Sequence, residues 1–85
     1  MKTFPIIDMQ ATGNRIKEIR IAKKISVNDI CKYMGFENPQ AVYKWQRGES
    51  LPTVDNLFAL SRLFETSMEN ILCEAADETK VLSAA

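Results

Sequence analysis

Apolar residues recur at intervals of three and four through most of this chain, and that spacing places side chains on one face of an α-helix. The pattern occurs in five stretches separated by Gly, Pro, Ser or Thr. It predicts an all-α fold, a compact bundle of about five short helices. The side chains expected to face the core are Ile16, Ile19, Ala22, Ile30, Cys31, Met34, Val42, Trp45, Leu57, Leu60, Ser61 and Phe64.

Polar residues and glycines set the ends of the predicted helices. Side-chain oxygens of Ser, Thr, Asp and Asn accept a free main-chain N–H at a helix start, and glycine readily takes the left-handed conformation that ends a helix. Gly35 and Gly48 are expected to end the second and third helices, and Pro39 to be the first residue of the third. The predicted N-caps, in chain order, are Asp8 or Thr12, Ser26, Asn38, Thr53 and Ser67.

The third predicted helix, residues 39–47, has an outward face without acidic residues. Val42 and Trp45 form its inward stripe, where core packing of the indole is favoured over base stacking. A solvent-facing helix usually carries pairs of Glu and Lys. Gln can instead hydrogen-bond adenine, and Lys and Arg can bind guanine or phosphate, so the pattern favours contact with DNA. The outward residues are Gln40, Ala41, Tyr43, Lys44 and Arg47.

Charge is distributed unevenly along a chain whose net charge is zero. Residues 1–50 contain nine Lys or Arg and five Asp or Glu, whereas residues 51–85 contain two and six. A basic half can be presented to phosphate. Ordinary solvated helix faces would give the same distribution, so charge alone leaves both interpretations open.

Several kinds of chemistry are disfavoured by the residues that the chain contains. It has no His, and its three Gly stand singly at positions 13, 35 and 48. Ser-His and Cys-His nucleophile pairs are therefore excluded, and there is no Gly-rich phosphate loop. We expect no catalytic site, no metal site and no cofactor. Cys31 and Cys73 are expected to be reduced thiols of a cytoplasmic protein, and no run of about 18 apolar residues predicts a membrane span.

The chain is divided into an N-terminal arm at 1–11, a single domain at 12–73 and a C-terminal tail at 74–85. The arm is expected to pack on the domain in extended form, with dimerisation as its alternative role. Phe58 and Leu63 flank the stripe of the fourth helix and are expected to widen its buried face; an exposed Phe58 would instead indicate a dimer contact. The tail is either a frayed helix or a disordered segment.

The pattern resembles the helix-turn-helix of lambda-repressor-like (XRE-type) DNA-binding domains over roughly residues 12–73. Agreements in register extend through all the predicted helices, which makes the match fairly specific. The matching residues are Arg20, Ser26, Ile30, Cys31, Gly35, Phe36, Val42, Trp45, Gly48, Leu51, Pro52, Leu57, Leu60, Ser61, Phe64, Ile71 and Leu72.

The resemblance implies that the helix beginning near Asn38 is the recognition helix, which lies in the major groove of DNA. Residues predicted to read bases are Gln40, Lys44, Tyr43 and Ala41. Residues predicted to contact the DNA backbone are Ser26, Val27, Asn38 and Arg47.

Three positions depart from the family pattern. Val27 stands where the family commonly has Gln, so one phosphate contact is expected to be absent. Gln46 stands where the family commonly has a Glu paired with Arg20, so only a hydrogen bond to a neutral acceptor is expected here. The segment between Gly35 and Val42 is one residue longer than the usual spacing.

The resulting expectation is a sequence-specific DNA-binding transcriptional regulator, most simply a repressor that occupies an operator in double-stranded DNA as a homodimer. The alternative is an antitoxin or adaptor that uses the same fold mainly to bind a protein partner. Salt dependence separates the two, because phosphate contacts release counterions and weaken steeply as salt rises.

Overall fold

The computed structural model describes residues 4–76, and their backbone confirms the predicted all-α bundle. None of the helices in this range has the length and apolar character that crossing a membrane requires. The helices are α1 (Met9–Ala22), α2 (Val27–Met34), α3 (Gln40–Arg47), α4 (Val54–Leu63) and α5 (Met68–Ile71).

The first helix begins at the earlier of its two predicted starts. Asp8 is the N-cap, and its carboxylate accepts a hydrogen bond from the main-chain N–H of Ala11 at 2.9 Å. The last three residues of the predicted arm therefore belong to α1. Thr12 is instead fully buried, and its hydroxyl oxygen accepts a hydrogen bond from the main-chain N–H of Cys73 at 3.0 Å.

The apolar faces of all five helices meet in one core. Its buried members confirm most of the side chains selected by helical spacing, but two predictions were wrong. Ala22 is exposed in the last turn of α1, and Phe58 is 49% exposed because it borders an open groove beside α4. The buried core consists of Ile16, Ile30, Cys31, Val42, Trp45, Leu57, Leu60, Phe64 and Ile71.

Two arginines of α1 donate hydrogen bonds to other elements of the fold. The predicted hydrogen bond between Arg20 and Gln46 is confirmed, with the guanidinium Nε donating to the amide Oε1 at 3.0 Å. The same guanidinium also donates to the carbonyl oxygen of Ile25 at 3.2 Å. Arg15 donates to both the carbonyl oxygen and the side-chain oxygen of Asn70, at 2.8 and 3.0 Å. These bonds connect α1 to α3, to the turn before α2 and to α5.

The segment before α1 pairs with the segment after α5. The main-chain N–H of Asp8 donates to the carbonyl of Cys73 at 2.8 Å, and that of Ala75 donates to Ile6 at 2.7 Å. Between them lies an antiparallel bridge of residues 7 and 74. The predicted extended arm is thereby confirmed for residues 6–8. The start of the tail is extended rather than helical, and residues 77–85 lie outside the described part of the chain.

The backbones of α1 and α3 approach closely at Gly13. A Cβ atom at this position would lie 2.2 Å from the carbonyl oxygen of Trp45 and 2.8 Å from that of Gln46. A Cβ at Gly48, just after α3, would lie 2.9 Å from the Cα of Gln10. The last turn of α3 therefore rests directly on the backbone of α1.

Substitution of Gly13 by Ala tests this packing. Ala in a helix interior is ordinarily more favourable than Gly by roughly 0.5–1 kcal/mol. Here we expect a loss of about 1–3 kcal/mol in the free energy of unfolding, because the added methyl group forces α1 and α3 apart. Urea denaturation measures the change. The control is Asn14→Ala, at an exposed neighbouring position of α1; equal stability of the two variants would contradict the close approach.

Candidate nucleic-acid interface

Two inward side chains decide which face of α3 is turned toward the core. Val42 is fully buried and Trp45 is 4% exposed. The ring of Phe36, from the loop that precedes α3, meets the indole edge-on with ring centres 5.9 Å apart. Such an aromatic pair adds specific geometry to apolar burial. The opposite side of α3 consequently faces away from the core.

That opposite side carries the predicted contact residues. Gln40, Tyr43, Lys44 and Arg47 are exposed together on one helix, which offers an amide, a phenol and two cations. Ala41 is half-buried and packs partly against the core. The structure thus places Arg47 and three of the four predicted base-reading residues, Gln40, Tyr43 and Lys44, on a common surface, here called the α3 face. Their contacts with bases stay a prediction.

The start of α3 corrects one sequence-based assignment. The helix begins at Gln40 rather than Pro39, and Pro39 is its N-cap, whose carbonyl oxygen accepts a hydrogen bond from the main-chain N–H of Tyr43 at 3.1 Å. Asn38 lies one residue before the cap. Its side-chain oxygen still accepts the main-chain N–H of Gln40, at 3.2 Å. Pro39 supplies the carbonyl oxygen for the first hydrogen bond of the helix. The side chain of Asn38 adds a hydrogen bond to the first turn from the residue before the cap.

The start of α2 lies at the other predicted backbone contact. The hydroxyl oxygen of Ser26 accepts the main-chain N–H of Asp29 at 3.0 Å, and the carboxylate of Asp29 accepts the main-chain N–H of Ser26 at 2.9 Å. This reciprocal capping box lowers the pKa of Asp29, chiefly through the hydrogen bond from the Ser26 main chain. Val27 is half-buried against the core and can offer an anion only its main-chain N–H.

Sequence reasoning missed a contact at the end of α3. The guanidinium Nε of Arg47 donates a hydrogen bond to the carboxylate of Glu49 and forms an ion pair with it. The bond holds the pKa of Glu49 below its ordinary value, and the positive charges of Arg47 and Lys44 act in the same direction. Arg47, the one cation among the predicted backbone-contacting residues, is therefore already engaged by an acid of its own chain.

Glu49 reaches Arg47 because of the turn that ends α3. Gly48 has a left-handed φ of 76°, and its main-chain N–H donates to the carbonyl of Trp45 at 3.1 Å. The main-chain N–H of Glu49 donates to the carbonyl of Lys44 at 2.9 Å. These bonds fold the chain back over the last turn, as in a Schellman-type helix end. An acid two residues after an Arg, across a capping Gly, is the sequence signal that could have revealed the pair.

Comparison with known families gives one match over most of the chain. The sequence model of a family described as "HTH_3: Helix-turn-helix" matches residues 16–71. This range begins in α1 and ends with α5, so it includes the whole α3 face. No curated protein matches the chain.

Solved structures of similar fold include a protein bound to DNA. The P22 c2 repressor in complex with a synthetic operator is 33% identical, with 72% of this chain and 91% of that chain covered and a TM-score of 0.65. The restriction-modification controller protein C.AhdI from Aeromonas hydrophila is 22% identical, with coverages of 75% and 96% and a TM-score of 0.67. At that identity the likeness concerns the fold alone.

The same helical arrangement also occurs as part of a larger protein. Co(II) HppE in complex with its substrate is 19% identical, with 84% of this chain covered and a TM-score of 0.72. The match covers 39% of the HppE chain. It therefore concerns the fold of a part of that protein.

Replacement of Arg47 by Gln tests the ion pair in the free protein. Because the hydrogen bond from Arg47 is the largest cause of the lowered pKa of Glu49, we expect that pKa to rise toward its ordinary value. The sign follows from linkage: a carboxyl with a lowered folded-state pKa adds stability above its ordinary pKa and loses it as the pH falls. NMR titration of the Glu49 carboxyl carbon measures the change, with Lys17→Gln on α1 as control. An unchanged titration would contradict the pair.

Proposed function

Because this chain belongs to the helix-turn-helix family of lambda-repressor-like domains, we propose that it is a cytoplasmic DNA-binding transcriptional regulator. It recognises an operator through α3 and acts as a repressor by occupying that site. The observation that carries the proposal is the α3 face, where four exposed side chains able to contact DNA lie opposite a buried Val42 and Trp45. Likeness to the P22 c2 repressor, which was solved with a synthetic operator, supports the same reading.

The exposed residues near the start and middle of α3 are proposed to read base edges. The amide of Gln40 can pair with adenine, and Lys44 can donate to the acceptors of guanine. Tyr43 is 43% exposed and is proposed to contact a thymine methyl group or a phosphate. The half-buried Ala41 allows the helix to approach a base methyl group closely.

Backbone contacts are proposed at both ends of the α2–α3 unit. The hydroxyl oxygen of Ser26 accepts the capping hydrogen bond of α2, and the hydroxyl hydrogen is proposed to be donated to a phosphate. Val27 would contribute its main-chain N–H, and Asn38 its side-chain NH₂ group. Arg47 would bind a phosphate from the last turn of α3. Such contacts set the register of the protein on the duplex, while base contacts set its sequence preference.

Two copies of the chain are proposed to bind one operator. An eight-residue helix reads only a few base pairs, and two half-sites about one helical turn, roughly 34 Å, apart give usable specificity.

The proposed contact between the copies is the groove beside Phe58. Its volume is about 540 Å³, and the guanidinium of Arg62 lies 4.9 Å from the centre of the Phe58 ring. Glu65 and Glu69 line the same groove. An apolar centre with charges of both signs is self-complementary, as a twofold interface requires, because Arg62 of one copy can face the acids of the other.

A protein partner is the second candidate, as in an antitoxin or adaptor. The observation that favours it is again the exposed Phe58, because the groove could receive an apolar side chain of another protein. The experiments below separate the two uses.

Selection of bound sequences from a random duplex pool tests the DNA proposal. We expect an inverted repeat, and an affinity for it that falls steeply between low and high salt. Gln40→Ala should cost about 1–3 kcal/mol at one base position, whereas Arg47→Ala should weaken binding to all sequences alike. Fluorescence anisotropy with the selected duplex and its single-base variants measures both.

Lys17→Ala is the control for these variants, because it removes a charge from the exposed surface of α1. Parental binding by both Gln40→Ala and Arg47→Ala would exclude the α3 face as the docking surface. Failure of the folded protein to enrich any sequence would favour the protein-partner alternative.

Substitution of Phe58 by Asp tests the contact between copies. We expect the variant to sediment as a monomer and to bind single half-sites normally while losing cooperative binding to the repeat, because a carboxylate that replaces the apolar centre of the contact must lose its hydration on association. The control is Ile21→Asp, which changes an apolar side chain of similar exposure on α1. Unaltered self-association of the Phe58 variant would place the interface elsewhere.

A further inference from the structure

We propose that Glu49 is a positioning residue that limits DNA affinity by holding Arg47 in the free protein. This inference rests on the proposed function, because Arg47 is there a phosphate-binding residue. The carboxylate of Glu49 accepts the guanidinium Nε–H of Arg47. It thus engages a donor that would otherwise be available to a phosphate oxygen.

The turn after α3 keeps the main chain of Glu49 next to the last turn of the helix. Its main-chain N–H is bonded to the carbonyl of Lys44 at 2.9 Å, and Gly48 before it is held in the left-handed conformation. The side chains of Arg47 and Glu49 are nevertheless 57% and 51% exposed. The backbone therefore keeps the two residues beside each other, while their side chains remain accessible to an incoming anion.

Exchange of the carboxylate for a phosphate yields less binding free energy than the same phosphate contact made by an arginine without a partner. Both acceptors are anionic oxygens and bind the guanidinium by the same charge-assisted hydrogen bond. In the free protein Glu49 already accepts the Nε–H of Arg47, so at that donor DNA gains only the difference between the two bonds. After the exchange, the released carboxylate takes up a cation from solution. Glu49 therefore reduces both the affinity and the net release of ions.

The acid at the start of α2 has a different role. Asp29 accepts the main-chain N–H of Ser26 and completes the cap of that helix. Its hydrogen bond stabilises the fold and engages no cation of the α3 face. Glu49 instead accepts a hydrogen bond from Arg47, the residue proposed to bind phosphate. The effect of Glu49 is expected to be independent of sequence, because phosphate contacts carry no direct base information.

Replacement of Glu49 by Gln tests the inference with two probes of about 20 base pairs, the selected inverted repeat and a scrambled duplex. We expect the affinity for both probes to rise by about two- to fivefold, as an exposed ion pair allows. The plot of log affinity against log salt should steepen by roughly 0.9, the value for one further phosphate contact. Fluorescence anisotropy over a series of salt concentrations measures both quantities.

Two comparisons isolate the role of Arg47. Glu18→Gln makes the same chemical change at an exposed position of α1, outside both the α3 face and the groove beside Phe58, and it reports the effect of net charge alone. Glu49→Gln made in an Arg47→Gln background should give no more than that effect, because no guanidinium is left to release. Thermal unfolding of each variant confirms that the fold is intact.

The outcomes distinguish this inference from the function on which it rests. Absence of duplex binding by the parent protein would overturn both. Parent binding without a gain for Glu49→Gln would overturn only the inference, as would the full gain persisting without Arg47. A gain confined to the selected repeat would also overturn it, because Glu49 would then be reading a base.

Discussion

The fold depends on the contact of two backbones at Gly13, where α1 leaves no room for a side chain beneath the last turn of α3. Carbonyl oxygens of Trp45 and Gln46 occupy that space. Gln10 lies close to Gly48 at the end of α3, and Arg20 reaches the side chain of Gln46 from further along α1. The direction in which α3 points is consequently set by main-chain contact with α1. The same contact therefore determines where the outward side chains of α3 are presented.

Local spacing was sufficient to predict the helices and most of the core, because helical period alone decides which side chains share a face. It could not predict which neighbour covers that face. Ala22 and Phe58 satisfy the period but stay exposed, because each borders an open groove. Thr12 shows the converse: it is buried because a segment sixty-one residues away donates a hydrogen bond to its hydroxyl oxygen. An isolated Gly13 inside a helical pattern was the available signal of close packing.

The exposed face of α3 could be predicted to the same extent. The prediction missed the Arg47–Glu49 pair for the same reason, because the pair depends on the path of the chain beyond the helix. Gln40, Tyr43 and Lys44 are exposed because the burial of Val42 and Trp45 determines the opposite side. The engagement of Arg47 depends on a left-handed turn that the helical period does not contain. Base contacts remain proposals because they depend on how the loop of residues 35–39 sets α3 against a groove. For the prediction of an interface, an acidic residue that can pair with a candidate binding cation is thus as informative as the cation itself.

The pairing of the segments before α1 and after α5 means that the chain enters and leaves the bundle at one place. The main-chain atoms of Ile6 and Ala75 are joined by a 2.7 Å hydrogen bond, so the path from residue 6 to residue 75 is a nearly closed loop. Such a unit can be inserted into a surface loop of a host protein without stretching either connection. The same closeness permits circular permutation: residues 6 and 75 can be joined by a short linker, and the chain can be cut at the turn between α1 and α2. The bundle would then be held together without a covalent connection between α1 and α2.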